Sequence, residues 1–532
     1  MYKRVLPPVI LSIVSLLFAT SGYAQLFLSP PKQLSPADLF DAEGVSILIN
    51  PINPLQLAAG SDVNYFYYSS DQGQSWNGNG LNTSFGDPGD PSLAADSKGN
   101  IYYSHLSDNL DRIVVQKSTN GGSKYSDGTF VGLSHSPRAQ FKEWIVSDLS
   151  STSPHKDALY LSWTEFDAYK TSQPRFDSSR ILFSSSVDQG ATWSTPIVVS
   201  DSDGDCADSS NTVEGARCTT GPNGEIYITW CGPSGLLFDK STDGGKTFGK
   251  DKILSAITPG WLFNVSGIYR CNAFATPICD ISSRKTRGNL YVVFSDKRNG
   301  ENNSDVFLLR STDGGSSWSV PLRVNDDTTQ TEQFFPSAAI DQTTGFIYCL
   351  FYDRRDHIGR NLTEVYLARS IDGGLSFQNF RLNSNRFNPS NKIYLGDYTH
   401  IAASNTYVYP AWTEEKSNND GITFSESIWT AIVIDTGALR AAVTEPASPN
   451  QADLSVSLSP NPTHTQLHIT VNRSAELHGS LEIRDVMGRS VMAVPMTSES
   501  MTMDVSHWAS GVYYCIVECG DERAVQKFIV GQ

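Results

Sequence analysis

From Val45 to Ile434 the chain is a succession of short apolar runs broken by glycine, asparagine, aspartate and serine, the pattern of β-strands joined by turns. One kind of run ends in an aromatic residue. Leu159-Tyr-Leu-Ser-Trp163, Ile226-Tyr-Ile-Thr-Trp230, Leu290-Tyr-Val-Val-Phe294 and Ile347-Tyr-Cys-Leu-Phe351 are close copies, and Tyr407-Val-Tyr-Pro-Ala-Trp412 is a looser fifth. A second kind, such as Ile113 to Lys117 and Val306 to Arg310, leads into a turn phrase written six times. The phrase reads SSDQGQSW from Ser69, STNGGSKY from Ser118 and SVDQGATW from Ser186. It returns as STDGGKTF from Ser241, STDGGSSW from Ser311 and SIDGGLSF from Ser370.

The phrase suits a hairpin turn. An aspartate side chain can accept hydrogen bonds from turn amides, and glycine takes the positive φ that a tight turn needs. The hydroxyls complete the local bonding, and the closing aromatic can pack on a neighbouring strand. Recurrence at roughly 50 to 70 residues marks a repeat architecture. Each unit reads as four short strands, one blade of a β-propeller. Units begin near Val45, Asp90, Lys142, Glu214, Ala273, Phe334 and Asp397. The seventh lacks the phrase, so seven blades are expected, with six as the alternative if an end unit is incomplete. The fold class is all-β.

These phrases are Asp boxes, or BNR repeats, and Val45 to Ile434 resembles the sialidase-like propeller superfamily. The resemblance implies that the boxes are structural and lie away from any catalytic centre. It stops short of the chemistry, because sialidases place an arginine in an F/Y-R-I-P phrase near the first blade. The corresponding strand here, Val45-Ser-Ile-Leu-Ile-Asn-Pro51, has none.

The two ends read differently. Lys3 and Arg4, the apolar run Val9 to Phe18 and the small residues around Gly22-Tyr23-Ala24 form a signal peptide, 1–24, too short to span a membrane. The propeller is assigned to 25–434, a linker rich in alanine, proline, threonine and serine to 435–453, and a small Ig-like β-sandwich to 454–532. Leu458-Ser-Pro-Asn-Pro462, Leu481 to Arg489, Asp504 to Tyr514 and Lys527 to Val530 resemble the type A sorting domain of the type IX secretion system of Bacteroidetes. Trp508 stands where that family usually has leucine. The resemblance implies passage across the outer membrane by that machinery, removal of the tail, and release or attachment at the cell surface.

Loss of the signal peptide with Lys3 and Arg4 moves the formal charge from −16 to −18. Such a surface repels nucleic acid and anionic membrane, and no later segment is long and apolar enough to span a bilayer. All eight cysteines lie in the exported part. Local disulfides within the Cys206/Cys218 and Cys271/Cys279 pairs are expected in an oxidising compartment, whereas Cys515 and Cys519 on one strand would lie too far apart to pair.

Candidate chemistry follows from topology. In a four-stranded blade, the loops joining strands one to two and three to four share the box face. The two-to-three loops and the connections between blades emerge opposite. Carboxylates there form the candidate catalytic set: Glu143, Glu214 and Asp397 on entering connections, with Asp296 and Asp353 at strand-two ends. Arg270, Arg298, Arg354, Arg355, Tyr398, Trp412 and Glu414 are candidates for substrate binding. Paired carboxylates can act on glycosidic bonds, and arginine can hold an acidic sugar. The repeated Asp-x-Arg pairs fit equally a structural role between blades. The implied partner is an extracellular glycan or glycoprotein, and the alternative is a non-catalytic propeller for adhesion. No cofactor is required. Asp201, Asp203 and Asp205 have alternating carboxylates that suit calcium, or they form a solvated acidic loop, since the EF-hand spacing is missing.

Overall fold

The computed structural model describes residues 26–36, 42–62, 65–86, 89–171, 177–382, 386–417, 424–437, 455–472, 479–485, 490–496, 498–519 and 522–531. The expected signal peptide, and the expected linker beyond residue 437, lie outside them. The chain divides into two compact units, Met1–Ala442 and Val443–Gln532.

The first unit is a β-propeller. Six antiparallel sheets take their four strands in sequence order, and their innermost strands are Ser46–Ile49, Ser92–Ala95, Ala139–Ser147, Glu214–Thr220, Thr276–Cys279 and Gln333–Asp341. A seventh begins with His400–Ser404, continues through Tyr407–Ser417 and Phe424–Thr430, and takes Lys32–Gln33 as its outer strand. Each innermost strand packs on the next, and the last returns to the first. Leu26–Leu28 pairs with Val433–Asp435, which itself pairs with Tyr407 and Val408. Two segments from the start of the chain therefore close the ring. Between the fourth and fifth sheets the chain makes an extra two-stranded excursion, Leu262–Phe263 with Cys271–Asn272.

Each box lies between the third and fourth strands of its sheet. In the fourth sheet, Ser241 Oγ donates to Asp243 Oδ1 (2.7 Å) and accepts from the Gly245 amide (2.9 Å), while Thr247 donates its amide and hydroxyl to the Asp243 carboxylate (3.0 and 2.6 Å). Asp71, Asp188, Asp313 and Asp372 repeat this bonding. The carboxylates serve their own turns. The closing aromatics join adjacent blades: Tyr125 meets Phe66 edge-on at 5.1 Å, Phe248 meets Phe183 at 5.1 Å, and Trp318 meets Phe238 at 5.2 Å. Gly245 has φ of 84°, and a Cβ there would stand 2.3 Å from the Phe183 ring, so both the turn and the blade contact require glycine.

The second unit is a β-sandwich. A three-stranded sheet (Ser455–Ser459, Gln466–Asn472, Ser500–Asp504) faces a four-stranded one (Ser490–Met496, Gly479–Asp485, Gly511–Cys519, Glu522–Val530). Leu467, Ile469, Leu481, Ile483, Tyr513, Val517 and Phe528 fill the space between them.

The expected disulfides do not form. All eight cysteines are buried free thiols. Cys206 Sγ is spent on the Ser178 carbonyl (3.2 Å) and Cys218 lies against that of Trp144 (3.6 Å), so each sulfur is fixed within its own surroundings. Cys515 and Cys519 share one strand, both facing inward.

Candidate functional site

On the face away from the boxes, a cleft of about 640 Å³ opens among the entering connections of the second, third, fourth and seventh sheets. Its walls carry Asp90, Lys142, Asp208 and Arg270, with Phe141, Tyr169, Tyr269 and Tyr394 between them.

A string of ion pairs runs through it. Lys142 Nζ lies 2.7 Å from Asp90 Oδ1 and 2.6 Å from Asp397 Oδ2. Arg270 reaches the same Asp397 oxygen (3.4 Å), Asp208 Oδ1 (2.7 Å) and Glu214 Oε2 (3.3 Å). Tyr169 donates its hydroxyl to Asp208 (3.0 Å), and Asn272 donates to Asp397 Oδ1 (3.0 Å). Residues far apart in sequence thus converge because each stands where the chain enters a blade.

The local backbone is built for this convergence. The pairing of the first two strands slips between Phe141 and Trp144 in the third sheet and between Glu214 and Arg217 in the fourth. Such bulges re-aim side chains at strand ends. Lys142 and Asp90 adopt φ of 55° and 58°, an uncommon conformation for residues with a side chain, and both are tied into the ion-pair string.

The two buried carboxyls next to Arg270 are tuned in opposite directions. Burial raises the Glu214 pKa to about 7 against the opposing pull of Arg270, helped by the nearby Asp208 charge. Burial also resists ionisation of Asp397, but Arg270 and Lys142 outweigh it and hold Asp397 well below the usual carboxylate range. Glu214 is therefore poised between its two forms near neutrality, and Asp397 is a fixed anion.

The other expected site residues are placed differently. Glu143 is buried and does not line the cleft. Tyr398 is buried too, donating to the Pro91 carbonyl (3.3 Å), with the Arg217 guanidinium over its ring at 5.0 Å. Asp296 is held by Arg298 in its own loop (2.6 Å) and Asp353 by Arg355 (2.8 Å). Arg354 is buried against Glu332 (2.6 Å). The expectation that strand-two carboxylates gather around one funnel is thus corrected: these pairs fasten individual loops and do not line the cleft. Trp412 is fully buried, and its indole donates to Glu414 Oε1 (2.9 Å), so it is core and offers no sugar platform. Asp201, Asp203 and Asp205 are not brought together either. Asp201 faces Lys250 (3.0 Å), Asp203 faces Arg180 (3.6 Å) and Asp205 accepts from Thr212 (2.7 Å). Among the described residues no group of three acidic, histidine or cysteine side chains could hold a metal ion. Sequence reasoning missed Lys142, Asp90, Tyr169 and Tyr394 as site residues, since nothing local distinguishes them from ordinary loop residues, and it read Asp208 only as the end of the acidic run that begins at Asp201.

Residues 457–531 match the family described as the secretion system C-terminal sorting domain. The C-terminal unit is a secretion sorting domain. It marks the chain for the type IX system, which carries it across the outer membrane to the cell surface or beyond. No curated protein matches the chain. Among solved structures, a protein of unknown function from Dyadobacter fermentans is 11% identical, covering 77% of this chain and 99% of that one with a TM-score of 0.42. A variant of the NanB sialidase from Streptococcus pneumoniae is 10% identical, over 72% and 84% with a TM-score of 0.42. An α-L-arabinofuranosidase from Fusarium graminearum is 11% identical, over 66% and 93%, also at 0.42. This likeness carries nothing about the chemistry of the sorting domain's propeller cargo, whose fold rests on the sheet order above.

Proposed function

We propose that the propeller is an extracellular glycan-binding protein and that the cleft around Lys142 and Arg270 is its binding site. One observation carries the reading: a cleft of ligand size whose walls carry four aromatic rings beside fixed polar and charged groups. Aromatic rings offer flat apolar faces to sugars, and pre-oriented polar groups meet hydroxyls without a new ordering cost.

Glycosidic hydrolysis is a second, sharper reading, favoured by the opposed tuning of Glu214 and Asp397. Two carboxyls whose environments push their pKa values apart are suited to separate acid and anion roles. Glu214, near 7, would donate the proton, and Asp397 would remain the anion. Both lie beneath Arg270, so this reading requires the Arg270 side chain to move aside when ligand enters.

Purified full-length protein, screened against a glycan panel for both retention and released sugar, tests both readings. Retention without release supports binding alone. Release that disappears in Glu214→Gln, with retention unchanged, supports hydrolysis. Failure to retain or cleave any glycan overturns the proposal in favour of adhesion through protein contacts.

A further inference from the structure

The cleft has a neighbour. A second one, of about 600 Å³, lies on the same face between the fourth, fifth and sixth sheets, lined by Thr258, Asn264, Ser266, Lys297, Asn302 and Glu332. The face is fixed by topology: Lys297 and Asn302 belong to the two-to-three loop of the fifth sheet, and Glu332 immediately precedes the innermost strand of the sixth.

A single ridge separates the two. The excursion formed by Leu262–Phe263 and Cys271–Asn272 turns Leu262, Tyr269 and Arg270 toward the first cleft and Asn264 and Ser266 toward the second. The ridge is anchored. The Ser266 amide donates to Glu332 (3.3 Å), and Gly267, with φ of 73°, packs so closely on Asn361 that a Cβ would stand 2.6 Å from its amide nitrogen. At its crest Tyr269 is 62% exposed, with its ring 6.3 Å from that of Tyr394. An anchored ridge presenting a bare aromatic between two polar clefts suits a ligand that crosses it.

Size and charge narrow the ligand. Each cleft alone falls in the range that takes a compound of several sugar rings. In the second, Lys297 and Arg298 are balanced by Glu301 and Glu332. In the first, Lys142, Lys170 and Arg270 are outnumbered by Glu43, Asp62, Asp90 and Asp208. A polyanionic chain would be repelled there.

Resting on the glycan-binding reading, we propose that the ligand is an uncharged oligosaccharide or polysaccharide chain, not a terminal sugar, bound across the Tyr269 ridge with a segment in each cleft. The ring of Tyr269 stacks on the sugar at the crossing, and Asn264 and Asn302 bind hydroxyls beyond it.

The test uses the full chain and neutral oligosaccharides of one to eight sugars, together with sialylated and sulfated counterparts. Affinity should rise at least tenfold between two and about six sugars, and the charged counterparts should bind more weakly. Asn264→Ala, and separately Asn302→Ala, both confined to the second cleft, should erase that gain while leaving disaccharide binding and the melting temperature unchanged. Equal affinity for short and long chains, tightest binding of a charged chain, or full retention of the gain in both variants overturns this inference and leaves the glycan reading standing. If no sugar of any length binds, the glycan reading itself fails, and this inference falls with it.

Discussion

Replacing Asp397 with asparagine keeps the side-chain shape and removes one charge from the centre of the ion-pair string. Asp397 is 2% exposed, with Lys142 at 2.6 Å and Arg270 at 3.4 Å. Removing one partner of a buried pair costs about 3–5 kcal/mol. Lys142 keeps Asp90, and Arg270 keeps Asp208 and Glu214, so we expect the lower end, about 3 kcal/mol. With an unfolding entropy of about 2 cal/mol/K per residue over the roughly 410 residues of the propeller, that is a fall in melting temperature of about 3–4 °C. The pH dependence is diagnostic. The folded-state pKa of Asp397 is depressed, so its stabilisation is present above the ordinary value of 3.8 and is lost as pH falls toward the folded value. Scanning calorimetry of both proteins should show the full gap at pH 6 and a narrowing gap below about pH 4. A gap under about 1 kcal/mol at pH 6, or one that does not change in acid, would refute the buried-anion account.

Glu214→Gln should behave oppositely. The folded-state pKa near 7, raised from 4.5, means that wild type loses about 3 kcal/mol relative to the glutamine variant as pH rises from about 4.5 through 7, a difference that chemical denaturation at pH 5 and pH 8 can measure. All eight thiols should react with a thiol reagent in denaturant without reductant, and reductant should leave the melting temperature unchanged; fewer than eight would reveal a disulfide. Truncation after Asp453 should trap the propeller in the periplasm, detected by fractionation, whereas appearance of the truncated protein outside the cell would remove the sorting role from the tail.

The sequence by itself determined the repeat, the box turns and the tail, because each rests on short-range physics. A box is closed by bonds within eight residues, as between Ser241, Asp243, Gly245 and Thr247, so its meaning is local and legible. The same holds for the alternation of loops between the two faces, which placed Glu214, Asp397 and Arg270 on the side away from the boxes. What only the tertiary structure decided was which charges meet. Lys142 and Asp397 are 255 positions apart in the chain and 2.6 Å apart in space, because the ring brings the third and seventh blades to one cleft. The Asp-x-Arg pairs looked equivalent to them in sequence, yet Arg298 and Arg355 fold back on the aspartates two residues earlier. Burial, too, is a property of the assembled ring: it makes Trp412 core, keeps the cysteines apart as thiols, and lifts Glu214 toward neutrality while its neighbour Asp397, facing two cations, stays charged.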